Sequence, residues 1–470
     1  GGLYRGLKPV MWSTVEKTAL AEAEVEYHNH TSNAIFVAFP IVKASVEILK
    51  NSHAVIWTTT PWTLPGNRAI AYGKDHSYSI IEVIDSTALI AAGMRLLIAK
   101  DLVTEVVKAL EITNYGIVGH VNGTTLSGSI CHHPWHGQGY DFEVPLLPGD
   151  HVTTDAGTGL VHTAPGHGIE DFAVGQEYSL EVPETVQGDG TYYPQVPMFA
   201  GKHIFKVNEE VIEKLNHAKA LLKADKLVHS YPHSWRSKAP LIYRTTSQWF
   251  ISMDINDLRA KAMQEINNVE WFPAQGKNRI SAMVGNRPDW CLSRQRTWGV
   301  PITVFTNKNT GEVLRDPKVH QRIVDAVERE GIAAWHKYDI AHFLGDTYNA
   351  NDFEKATDIL DVWFDSACTH TFFIENNDAM HWPADMYFEG SDQHRGWFQT
   401  SLLHSCGTRG RAPYKQVLTH GFVLDEKGYK MSKSLGNGVE PQQIIDTLGA
   451  DMLRLWVSST DYTDDVRIGK

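Results

Sequence analysis

The rhythm of apolar and polar positions changes partway along the chain. Between residues 26 and 210 apolar residues come in short runs, such as Ala34-Ile35-Phe36-Val37-Ala38-Phe39, Ala54-Val55-Ile56-Trp57 and Tyr78-Ser79-Ile80-Ile81, separated by Gly and Pro. Runs of that length between turn formers predict strands. One stretch keeps a helical period instead, with Leu102, Val103, Val106, Val107 and Leu110 on a single face. Residues 26–210 therefore read as an independent β-rich domain. Residues 1–25, without a clear period, and 211–250, with the polar aromatic stretch Tyr231-Pro232-His233-Ser234-Trp235-Arg236, read as connections on either side.

From residue 251 to 447 strands alternate with helices. Asp385-Met386-Tyr387-Phe388 is predicted as a buried strand that runs through a Gly-containing turn into a helix near His394. Val417 to Leu424 is predicted as a second strand leading to a loop at Lys430. Pro441 and Gly449 bracket a short helix, Asp451 is expected to cap the next, and residues 448–470 begin a helical region. Strand–loop–helix units predict an α/β fold with a parallel sheet, whose ligands sit at the carboxyl ends of the strands.

At 470 residues the chain is too long for one core, so two or three domains are expected. The net charge, 43 − 55 = −12, argues against a surface coated in non-specific nucleic-acid contacts, although Arg287, Arg294 and Arg296 are a candidate local basic track. No apolar run reaches the ~18 residues of a membrane span, so no membrane is expected. The four cysteines form no CxxC pair, which points to a reduced, cytoplasmic setting without structural zinc.

Three blocks carry chemistry. Lys430-Met431-Ser432-Lys433-Ser434 puts two ammonium groups on a loop between Gly428 and Gly436, suited to a polyphosphate. The bland alternative is a solvated turn. In Glu389-Gly390-Ser391-Asp392-Gln393-His394-Arg395-Gly396-Trp397-Phe398, Glu389, Asp392 and Gln393 offer partners for an ammonium and for ribose hydroxyls. Gly390 permits close approach, and Trp397 can wall a side-chain pocket. Capping of a helix by Ser391 or Asp392 is compatible with both uses. In the β-rich part, Thr58, Thr59 and Thr60 form a hydroxyl ridge; His162 can line a small pocket and Asp171 can hold an α-ammonium group. The alternative there is strand-edge threonines with hydrogen-bonded histidines. A zinc cluster drawn from Cys131, His132, His133, His136, His151, His162, His167 and Asp171 is a rival, but no HExxH occurs and the spacings fit no standard site.

These blocks, with Trp290-Cys291-Leu292-Ser293-Arg294-Gln295-Arg296-Thr297-Trp298-Gly299 and Asp361-Val362-Trp363-Phe364-Asp365-Ser366, resemble the class I isoleucyl-tRNA synthetases over essentially the whole chain, in collinear order. One departure is Ala367, where the family usually has Gly. The resemblance implies the second half of a Rossmann-like catalytic domain with an inserted β-rich editing domain. It implies that Glu389, with Gly390, Asp392, Gln393 and Trp397 around it, contacts the aminoacyl-adenylate. Lys433 would bind the ATP phosphates, supported by Lys430. It maps the editing residues onto Thr58, Thr59, Thr60, Asn67, His162 and Asp171; valyl relatives usually carry Lys and leucyl relatives Met in place of His162.

The resemblance further implies ATP-dependent charging of tRNA(Ile) with isoleucine, with ATP and Mg2+ as substrate, and hydrolysis of valyl-tRNA without metal. A monomer is expected for the full-length enzyme. No His-x-Gly-His motif occurs, and the chain begins Gly1-Gly2-Leu3-Tyr4, so an internal piece lacking that motif and the anticodon-binding domain is expected, inactive by itself in aminoacylation. A free-standing trans-editing hydrolase or a non-catalytic tRNA-binding module are the competing functions.

Overall fold

The computed structural model describes residues 2–432 and 436–469; Lys433 and Ser434 of the lysine loop lie outside the described residues. The chain groups into two compact units, one of Gly6–Gln248 and one of Gly1–Arg5 with Trp249–Lys470. Among the described residues no helix is long and apolar enough to cross a membrane.

The unit 6–248 is organised by the strand Val25–Lys43, which lies within a ten-stranded sheet. Its second half is buried through Ile35, Val37 and Phe39, where β-branched and aromatic side chains fit the pleat. Ser52–Thr58 pairs antiparallel with that half, Ile35 opposite Thr58. A buried 3-10 turn, Pro61–Gly66, then leads to Ala69–Tyr72, which pairs antiparallel with Leu160–Thr163. That register sets Ile70 opposite His162. The helix Val103–Ala109 buries Val103, Val106 and Val107, the face that the period predicts.

The expected limits 26 and 210 fall inside this unit. Met11–Ser13 pairs with Thr18–Leu20, and Leu221–Ser234 is zipped to Val25–Lys43 along its length. Leu221–Ser234 looks like a connection in sequence because the outer part of this ribbon is largely exposed and carries no apolar alternation.

The unit 249–470 holds a parallel sheet with Tyr414–His420 at its centre, flanked by Glu270–Phe272 and Ala384–Gly390. Helices Leu258–Asn268, Gln275–Gly285 and Trp397–Arg409 cover one face. Ile266, Ile280, Phe398 and Leu402 meet Trp271, Tyr387 and Val417 in one core. On the sheet, Phe272, Met386 and Phe388 stay exposed. Glu389 pairs with Thr419 and Gly390 with His420, so two strands end side by side.

Three local expectations are corrected. The strand expected over Val417–Leu424 breaks at Gly421, whose N–H donates to Tyr462 O. A Cβ at Gly421 would lie 2.2 Å from the Asp464 backbone, so only glycine lets that segment approach. Asp451 does not cap its helix: Gly449, at φ 87°, ends one helix and starts the next without a spacer, and Asp451 pairs with Arg454 in the first turn. The basic track is absent as such, because Arg287 and Arg294 are buried. Ala367 closes the helix Val362–Ala367, a right-handed position that needs no glycine.

Arg294 owes its burial to Asp361. The guanidinium lies 3.2 Å from Asp361 Oδ2, which also accepts from Trp290 Nε1 at 2.9 Å. Asp361 Oδ1 accepts from the Trp363 N–H at 3.1 Å and caps the following helix. Removing one member of such a pair strands the other charge, at a cost of about 3–5 kcal/mol. Asp361→Ala is expected to lower the unfolding free energy by about that amount, measured by urea denaturation; a loss within experimental error would refute the assignment.

Candidate functional sites

In the unit 6–248, Thr58, Thr60, His162 and Asp171 line one cavity of about 200 Å³, with Trp57, Thr63, Val161, Ala164 and His167. Thr59 faces a neighbouring groove instead. Asn67 is fully buried and reaches the cavity only through His162.

A chain of hydrogen bonds fixes the His162 ring. Thr63 Oγ1 donates to Thr60 O at 2.9 Å and so accepts from His162 Nε2–H, also at 2.9 Å. That leaves His162 Nδ1 as the acceptor for Asn67 Nδ2 at 2.7 Å. Burial pushes His162 down to about 3, aided by the nearby His167. His162 is therefore a neutral, immobile wall with both nitrogens engaged, and cannot take a proton from water. Thr58 and Thr60 hydroxyls lie 3.2 Å apart at the opposite side of the chain turn.

Asp171 stands in the first turn of helix Ile169–Glu177 and accepts from the Ala164 N–H at 2.9 Å. Gly168 leaves room for this: a Cβ there would sit 3.0 Å from the carboxyl group. Burial raises Asp171 to about 7, against the lowering effect of the Ala164 bond. His167 is held by Tyr243 O at 3.0 Å and Thr185 Oγ1 at 2.5 Å, and burial lowers it to about 4. His133 is held by Leu64 O and the Trp135 N–H. Among the described residues no three His, Cys, Asp or Glu side chains converge as metal ligands.

In the unit 249–470 the residues cluster at the carboxyl ends of Ala384–Gly390 and Tyr414–His420. Glu389 is exposed, 3.8 Å from His420 Nε2. Gln393 Oε1 accepts from the Trp397 N–H at 2.9 Å and Gln393 Nε2 donates to Asp392 Oδ2 at 3.2 Å, so these two side chains brace the turn. Trp397 stacks on Tyr387 at 4.1 Å and donates through Nε1 to Ser366 O at 3.1 Å, which fixes it as a wall. Gly396 is required there, because a Cβ would lie 2.7 Å from both Trp363 and Gln393. Lys430 Nζ lies 5.7 Å above the Phe422 ring. Phe422 Cζ in turn would be 3.5 Å from a Cβ on Gly390, which brings the lysine to the strand end.

Sequence reasoning missed the residues that hold this arrangement. Asn437 Nδ2 donates to Asp425 Oδ2 at 2.8 Å and Asn437 Oδ1 accepts from the Ser432 N–H at 3.0 Å, pinning both ends of the lysine loop. Asp425 with Gly428 is an Asp-x-x-Gly turn, a signal present in the sequence. Thr63 and His167 carry no comparable mark.

A family model described as tRNA synthetases class I (I, L, M and V) matches residues 1–469. An isoleucine–tRNA ligase of Pelagibacter ubique (strain HTCC1062) is 52% identical over 468 residues, covering 100% of this chain and 52% of that protein. One from Gluconobacter oxydans (strain 621H) is 52% identical over 486 residues, covering 100% of this chain and 50% of that protein. The chain thus spans about half the length of the curated relatives it matches.

The cavity's titration has a definite sign. Asp171, raised from the ordinary ~3.9 to about 7, favours folding below its unfolded value and loses that contribution as pH rises through 7. Asp171→Asn should therefore gain stability relative to the parent above pH 7, with the difference shrinking toward pH 4, in paired denaturant titrations. His162 and His167 are depressed, so their contribution is present above ~6.5 and fades as pH falls toward about 4. Ring resonances of both should remain those of neutral imidazole at pH 5.5; a protonated shift there would contradict the hydrogen-bond chain.

Proposed function

The chain belongs to the class I tRNA synthetases of the isoleucine, leucine, methionine and valine group, and from that premise we propose that it carries the activating and proofreading sites of an isoleucine–tRNA ligase. The unit 6–248, around the expected core 26–210, is the editing domain. The unit 249–470 supplies the second part of the Rossmann-like catalytic domain, with ATP and its Mg2+ as substrate. Acting in the cytoplasm as a monomer when whole, the enzyme would take isoleucine, ATP and tRNA(Ile).

The observation that carries this reading is the pairing of two unlike sites in one chain: a small cavity shared by Thr58, Thr60, His162 and Asp171, and an exposed Glu389 near the strand end where Phe422 positions Lys430. At the second site Glu389 would hold the ammonium of isoleucine. The isoleucine carboxylate attacks the α-phosphorus of ATP, an oxygen–phosphorus bond forms, and pyrophosphate leaves. Lys430 and Lys433 would offset the charge that builds on that leaving group. The 3′-terminal ribose hydroxyl of tRNA then attacks the adenylate carbonyl carbon and releases AMP.

Activation alone separates isoleucine from valine by one methylene, worth ~1–3 kcal/mol, a figure that comes from this same enzyme family rather than from this structure. A second, smaller cavity adds the missing discrimination. There Asp171 would hold the α-ammonium of valyl-tRNA, whose positive charge favours the ionised carboxylate. Water attacks the ester carbonyl and the ester C–O bond breaks, releasing valine and tRNA. His162 is too acidic and too fully engaged to act as the base, so the Thr58 and Thr60 hydroxyls are left to orient the water. Burial of Arg287 and Arg294 weakens the rival reading as a tRNA-binding module.

Two outcomes are expected in the full-length enzyme. Lys433→Ala should slow isoleucine-dependent pyrophosphate exchange by about 10²–10³-fold with isoleucine affinity nearly unchanged; exchange at the parental rate would refute its role. Asp171→Ala should let valyl-tRNA persist in a deacylation assay, and unchanged hydrolysis would remove it from the editing site.

A further inference from the structure

One wall of the cavity around His162 and Asp171 has empty space behind it. A void of about 20 Å³ lies there, with Leu7, Val182, Pro183, Thr185 and Arg244 in its lining. His167 alone, among the described residues, lines both spaces. The other histidine of the cavity, His162, is backed instead by the fully buried Asn67. The His167 ring is locked in place. Tyr243 O can only accept, so Nδ1–H donates to it at 3.0 Å, and Nε2 is left to accept from the Thr185 hydroxyl at 2.5 Å. Turning the ring away would strand both partners. The Trp62 ring meets it edge-on at 5.0 Å. Thr185 lines the rear void and not the cavity. The ring carbon Cδ2 and the Ala164 Cβ converge at Gly66, where an added Cβ would lie 3.2 and 3.7 Å from them.

A flat, uncharged ring that cannot rotate, set beside Ala164 and Val161 in the cavity wall, is a rigid stop for an apolar side chain. We propose that His167 is a specificity-determining residue, the partition that sets how long an acyl side chain the cavity accepts. Asp171 and the threonine hydroxyls take up the ammonium and the water, which leaves the side chain of the aminoacyl ester to the apolar part of the wall. Valine ends short of the ring, and isoleucine, one methylene longer, meets it. Removal of the imidazole joins the cavity to the void behind and gives that methylene room. Resting on the editing reading of this cavity, the assignment names what keeps the correct product out.

The test is deacylation of valyl-tRNA and isoleucyl-tRNA by the full-length enzyme and by its His167→Ala, His167→Ser and His167→Phe variants. The parent is expected to cleave the valyl ester and spare the isoleucyl one. His167→Ala or His167→Ser should cleave isoleucyl-tRNA about 10- to 200-fold faster than the parent, the range that one methylene commands, with valyl-tRNA cleavage still measurable. His167→Phe, which restores a ring of similar size without the nitrogens, should spare isoleucyl-tRNA again. A residue that only supported the fold would slow both reactions when replaced. Isoleucyl-tRNA spared by the Ala and Ser variants alike, loss of both reactions in them, or isoleucyl-tRNA cleaved as fast by His167→Phe overturns the proposal. If the parent fails on valyl-tRNA, the editing reading itself falls. If the parent cleaves valyl-tRNA and the variants spare isoleucyl-tRNA, only the role of His167 falls.

Discussion

A polar side chain removed from water must find a partner inside the protein, and in this chain those obligatory partnerships position the functional groups. Asp361 is the clearest case. A carboxylate with almost no solvent contact is matched by Arg294, the Trp290 indole and the Trp363 N–H. Through it, segments far apart in sequence are drawn to one place, and the helix it caps presents Ser366 to Trp397. His162 obeys the same rule in the other unit. Its two nitrogens can be satisfied in only one proton arrangement, because Thr63 already donates to Thr60.

The same constraint divides labour between the two candidate sites. In the cavity, burial drives Asp171 toward neutrality and the histidines toward their uncharged forms. On the proposed function such a site would recognise by shape and hydrogen bonds, and one ligand cation would restore the carboxylate's charge. At the strand ends Glu389 and Lys430 are exposed, as the proposed encounter with a highly charged nucleotide would require. On the proposed function, discrimination by size would belong to the enclosed site and neutralisation of phosphate to the open one.

Much of the fold is legible in the residues alone. Short apolar runs mark the strands of the unit 6–248, and the spacing of Leu102 to Leu110 marks its helix. The loop at Lys430 and the block from Glu389 to Phe398 are legible because their residue types are unusual for packing. The ribbon Leu221–Ser234 is not legible: it is held by backbone pairing to Val25–Lys43, which leaves no periodic trace in side chains exposed to water. Nor are Asn437 and Thr63, whose importance comes from what lies opposite them.

The sequence by itself determined which chemical groups are present, their order, and the local periods that select strand or helix, since these depend on neighbours a few residues away. Tertiary structure alone decided that Arg287 and Arg294 are buried supports and not a surface track, that Asn67 acts through His162, and that Gln393 braces a turn. It also decided the protonation of Asp171 and His162. Solvation and long-range contact set those properties, and neither is encoded in the spacing of residues along the chain.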